Sequence, residues 1–131
     1  MIINPLAAYS KDRMSAIPTV TFSDTKHLTV NNVIKYTGQI YAIAMSIQLP
    51  DKALFVSSKT QTKPVLQPQN GDAGLLEFIW ITPPKSPFNL IYTVNHEKAT
   101  GDIQSKIIYR RKGGTVFCYL KPVMLNTDVN R

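Results

Sequence analysis

Few side chains in this sequence can move a proton, hold a metal or attack a carbonyl, and they are scattered. Histidine occurs only at His27 and His96, and cysteine only at Cys118. Two histidines and one thiol would need carboxylates to complete a zinc site, and no metal-ligand spacing is present. His96-Glu97 falls in an expected hairpin turn, where adjacent side chains diverge into solvent; His27 beside Lys26 reads the same way. Cys118 stands between Phe117 and Tyr119 with no nearby histidine to activate it, which suits a small buried hydrophobe. Glu77 interrupts the apolar run 75–81. Turned inward, its carboxyl would gain a raised pKa and could transfer protons. With Leu76, Phe78 and Trp80 inward it points to solvent, where a cross-strand lysine can meet it, and this is the simpler reading.

Phosphate-binding glycine loops are absent, and Gly113-Gly114 signals a hairpin. Pro84-Lys85-Ser86-Pro87 has polyproline spacing but suits a stiff connection better. No catalytic residues, no metal and no cofactor are expected, and the chain reads as a non-enzyme.

Positive charge is the stronger clue. Fifteen Lys and Arg against eight Asp and Glu give a formal charge of +7. Lys106, Arg110, Arg111, Lys112 and Lys121 crowd the last third, and Arg131 lies beyond them. Lys59 and Lys63 sit in a polar stretch, 57–72, that has no acid before Asp72. These residues form a candidate surface for nucleic-acid phosphates or an acidic partner, with Lys59 and Lys63 as loop contacts. Tyr109, Phe117 and Tyr119 interleave with the charge, as in barrels that stack bases on rings. Their alternation nevertheless places them where core residues belong, which favours packing over an exposed platform.

Strands must carry these groups. From 38 to 49 the odd positions Tyr41, Ile43, Met45, Ile47 and Leu49 are large and apolar while the even ones are small or polar, so one face meets a core. Further strands are expected at 19–22, 28–34, 53–56, 88–94, 102–110 and 115–120. The run 75–81, apolar on both faces except at Glu77, suggests a central strand. The stretch 57–72, with two prolines, Asn70-Gly71 and at most a short strand at Val65-Leu66, is expected to be a functional or mobile loop. Asn4-Pro5 offers a helix cap and first turn, so 1–18 reads as an arm or short helix.

The expected fold is all-β: an antiparallel β-sandwich, jelly-roll-like or Ig-like, or a partly closed barrel, of about eight short strands. One domain is expected, with a core over 19–125 and a tail over 126–131. The single cysteine excludes a disulfide scaffold, and the longest apolar run, 40–45, is too short to span a bilayer. The first residues lack the basic stretch of an export signal, so a cytoplasmic protein, or a particle component assembled there, is expected. The function expected is structural: self-assembly, or assembly with other subunits of a larger particle, such as a viral capsid or virion component. The alternative is a single-stranded nucleic-acid-binding module resembling an oligonucleotide-binding barrel.

Overall fold

Alternating apolar and polar residues build nine strands within residues 13–125, the part of the chain that a computed structural model describes. They are β1 (Met14–Ser23), β2 (His27–Tyr36), β3 (Ile40–Gln48), β4 (Leu54–Thr60), β5 (Leu75–Trp80), β6 (Phe88–Asn95), β7 (Gly101–Arg111), β8 (Gly114–Tyr119) and β9 (Val123–Leu125). One sheet runs β1-β2-β6-β4 and the other β5-β3-β7-β8, with β9 pairing against the start of β7. Every pairing is antiparallel.

The expected sandwich forms, and its strand order is Ig-like. The row β1-β2-β6-β4 facing β3-β7-β8 matches the ABED and CFG sheets of that architecture, with β5 added beside β3. The sheets remain separate ladders, so no barrel closes. Their inner faces supply the core: Leu28, Val30 and Ile34 from β2 and Phe88 to Val94 alternately from β6 face Ile43, Met45 and Ile47 from β3, Leu76, Phe78 and Trp80 from β5, and Ile103 and Ile107 from β7. An aromatic corner ties β4 and β6 to β5. Phe78 stacks on Trp80 at 6.2 Å, and Phe55 and Phe88 meet them edge-on at 6.3 and 5.6 Å.

Three expectations about the elements need correction. Residues 14–18 belong to strand β1; the arm or helix over 1–12 and the tail over 126–131 lie outside the described residues. Pro18 does not break β1, for a reason found in the ladder. Thr37 N–H donates to the Arg13 carbonyl, so odd residues of β1 up to the bulge bond to β2 and even ones face the open edge. The missing N–H of Pro18 therefore falls where no ladder bond is lost. The bulge sits between Val20 and Phe22.

Second, β5 is an edge strand of its sheet, not a central one. Its outward residues Leu75 and Glu77 are exposed, as is Ile81 just after it, and the apolar pair marks a surface. Third, the stretch 57–72 is held in place. Its first residues extend β4 to Thr60. Val65 N–H then donates to Ile79 and Ile79 N–H to Leu66, so this segment borders β5.

Candidate functional site

Two surfaces carry the chemistry of this molecule. The first is the outer face of the β5-β3-β7-β8 sheet. Register places Glu77, Ser46, Lys106 and Tyr119 side by side in one row across four strands. The next row is Leu66, Ile79, Ala44, Ile108 and Phe117, with Leu66 bridging to Ile79 at the β5 edge. At its centre the strand β3 contributes small side chains here, Ala42, Ala44 and Ser46, so the face is a shallow trough. One part of it, about 390 Å³, lies over Ser46 and Gln48 between Leu75 and the pair Lys106–Tyr119. Another, about 190 Å³, lies over Ala42 and Ala44 between Ile79 and Ile108.

Glu77 points outward, as its alternation implied. Of the three rings read as core, only Tyr109 is buried. Phe117 and Tyr119 are 49% and 73% exposed, stacked at 6.5 Å on the outer face, with the Lys106 ammonium 5.3 Å from the Phe117 centroid. Pairing explains the split: Phe117 shares a face with Ile108, whereas Tyr109 opposes Val116 on the inner side.

The second surface is one end of the sandwich. Antiparallel order brings the start of β1, the ends of β2, β4, β5 and β7, and the start of β8 to the same end. Arg13 precedes β1, Lys35 and Lys59 lie next to the last residues of β2 and β4, Lys63 follows β4, and Lys85 is in the β5–β6 connection. Arg110 and Arg111 end β7 and Lys112 opens the β7–β8 turn, beside which Gly113 and Gly114 take positive φ. Among the described residues no Asp or Glu lies at this end. Asp24, Asp51, Asp72, Glu97 and Asp102 all lie at the opposite end, mixed with Lys26, Lys52 and Lys98, while Glu77 is mid-strand.

The structure thus groups Arg110, Arg111, Lys112, Lys59 and Lys63 at one end and adds Arg13, Lys35 and Lys85, which sequence reading missed. It separates Lys106, which lies mid-strand, and Lys121, which follows β8 toward the mixed end, from that group. A signal did exist: connections that carry both signs (Asp24 with Lys26, Asp51 with Lys52, Glu97 with Lys98) are separated along the chain by cations without acids (Lys35, Lys85, Arg110 to Lys112), and alternate connections of an antiparallel fold share an end.

Concavities run along the basic end. One of about 160 Å³ joins Lys59 to Gln61 and Asn89. A second, about 540 Å³, joins Gln61 to Thr62, Thr82, Lys85 and Pro87. A third, about 440 Å³, joins Pro87 and Ser86 to Lys35 and Arg13. Gln61 and Pro87 are shared between neighbours, so the three form one track. Beside the arginine turn, Tyr41 is the extra residue of a bulge between the pairs Ile40–Arg111 and Ala42–Arg110. The bulge turns it out of the core expected for it, and its ring is 46% exposed.

The remaining titratable groups are structural. His96 is not a solvated turn residue: it is 2% exposed, and its Nε2 lies 2.9 Å from the Asp24 carbonyl. That oxygen can only accept, so Nε2 carries a proton. The Asp24 carboxylate accepts from the backbone N–H groups of His27 at 2.6 Å and Lys26 at 2.8 Å, and these bonds hold its pKa below the ordinary 3.8. Burial pushes the Tyr92 phenol and the half-buried Cys118 thiol up. No group of three or more His, Cys, Asp or Glu among the described residues is arranged to hold a metal. No helix among them is long and apolar enough to cross a membrane.

Fold and surface together define an all-β sandwich of two antiparallel sheets that presents an apolar trough and a basic end. No protein-family model matches the chain. No curated protein matches it either. Among solved structures it is similar to the GAE domain of GGA2p from Saccharomyces cerevisiae, at 11% identity over 91% of this chain and 93% of that one, with a TM-score of 0.48.

Proposed function

We propose that this chain is a non-enzymatic assembly protein that works through protein–protein contacts, in its specific form a subunit of a larger particle such as a capsid or virion. The outer face of the β5-β3-β7-β8 sheet is the contact surface, and a second copy of the chain is the partner. One observation carries this: the row Leu66, Ile79, Ala44, Ile108, Phe117 has the same size profile read from either end, large at the flanks and small at the centre. A twofold axis lying along β3 would set Leu66 of one copy against Phe117 of the other and Ile79 against Ile108. In the adjoining row the same axis would set Glu77 against Lys106, twice over. Shape and charge are then self-complementary, as an isologous interface requires.

Sedimentation velocity over a wide concentration range tests the reading. The wild-type chain is expected to form a dimer, and Ile108→Glu, which places a charge in the half-buried row, to be monomeric with an unchanged melting temperature. A wild-type chain that stays monomeric at the highest concentration overturns it.

A further inference from the structure

We infer that the basic end of the sandwich binds single-stranded nucleic acid, holding phosphates along the Lys59–Lys85–Lys35 track and stacking a base on Tyr41. The site is distinct from the sheet face proposed for assembly and does not depend on it. Three observations point to this polymer.

The first is uniformity of charge. Eight cations from five separate segments converge at this end, and the described residues bring no carboxylate among them. A folded protein partner is met by mixed signs and an apolar centre, whereas a surface of one sign suits a chain that repeats one charge.

The second is continuity. The three concavities from Lys59 past Gln61, Lys85 and Pro87 to Lys35 adjoin in sequence, each sharing a lining residue with the next. They cross the sheet from β4 to β1, about 14 Å at the spacing of neighbouring strands, which accommodates successive phosphates of one strand. Neutral donors line the same path. The Ser86 hydroxyl accepts from Tyr36 N–H at 2.8 Å, leaving its own proton to point at an anion.

The third is the ring. Tyr41 stands out of a bulge between the register positions of Arg110 and Arg111. An exposed ring in register with two arginines is a platform for an unstacked base, and only a single strand offers its bases that way.

Fluorescence anisotropy with a labelled oligodeoxythymidylate tests the inference, repeated with a duplex of equal length, polyglutamate and phosphatidylserine vesicles. The triple variant Lys35→Ala, Lys59→Ala, Lys85→Ala is compared with Lys26→Ala, Lys52→Ala, Lys98→Ala, which removes the same charge from the opposite end. The first is expected to weaken oligonucleotide binding at least about tenfold and to flatten the log–log salt slope by about 2, near 0.7 for each phosphate left without its lysine. The opposite-end variant should stay within about twofold. Tyr41→Ala is expected to cost about tenfold with the salt slope unchanged. Should the first triple variant melt low, Lys85→Glu, in a connection outside the strands, replaces it.

Equal loss from the two triple variants would reduce the effect to net charge and overturn the proposal. So would an unchanged affinity in Tyr41→Ala, no binding by the wild type, or equally tight binding of duplex, polyglutamate or vesicles. Ile108→Glu should still bind the oligonucleotide, which keeps this outcome separate from that of the assembly reading.

Discussion

The indole N–H of Trp80 donates a 2.8 Å hydrogen bond to the carbonyl oxygen of Thr62, joining the buried aromatic corner to the segment that follows β4. The ring itself is buried between Phe78 and Phe88. One side chain therefore packs the core and pins the stretch that leads past Lys63 along the β5 edge.

The two roles are separable by mutation. Trp80→Phe keeps much of the packing and loses the hydrogen bond, and should cost about 1–2 kcal/mol. Trp80→Ala also opens a cavity and should cost about 3–5 kcal/mol. Urea unfolding followed by circular dichroism gives both values; equal costs would mean that the hydrogen bond, not the ring volume, dominates.

Acid should act on the β1–β2 turn. The Asp24 carboxylate is bonded by the N–H groups of His27 and Lys26 in the folded chain, and its folded pKa lies below the unfolded value. A depressed folded pKa contributes stability above the unfolded value, and that contribution is lost as the pH falls through the folded one. Melting temperatures measured from neutral pH to below 3.8 should fall less steeply for Asp24→Asn than for the wild type, since asparagine keeps the acceptor and does not titrate.

Cys118 should be a slow thiol. It is half-buried on the inner side of β8, its Sγ lies 3.7 Å from the Met14 carbonyl, and burial raises its pKa above the ordinary thiol value. Since the thiolate is the reactive form, modification by a disulfide reagent at mildly alkaline pH should run about tenfold slower than in the urea-unfolded chain. Equal rates would place the thiol in solvent.

If a second copy covers the sheet face, charge reversal should be reciprocal. Glu77→Lys and Lys106→Glu each set like charges against one another twice in a symmetric pair, and each should weaken the dimer about tenfold. The double variant restores opposite signs and should recover most of the affinity. Sedimentation equilibrium on the three variants measures this. Additive losses would show that the two side chains do not meet.

Much of the sandwich was legible in alternation. Ile43, Met45, Ile47 and Leu49 turn inward as their spacing implies, and so do Phe88, Leu90, Tyr92 and Val94. Elsewhere, pairing overrode pattern. Leu75 and Ile79 looked like the second buried face of a central strand, but β5 is an edge strand whose outer apolar residues belong to the trough. His96 looked solvated because its turn is local in sequence, yet the turn folds against Asp24, remote in the chain. The basic end was half visible. Arg110, Arg111 and Lys112 are contiguous, whereas Arg13, Lys35 and Lys85 join them only once strand order sends alternate turns to one end.

The open edge of β1 limits how the molecule can multiply. A foreign strand docking there would find no donor at Pro18 and a kink beyond Val20, so no partner could zip along its full length. Growth by adding strand to strand, which has no natural stopping point and leads to fibres, is blocked at that margin. Contact through a sheet face about a twofold axis saturates after a single partner, so the shape of this edge biases the chain toward finite assemblies.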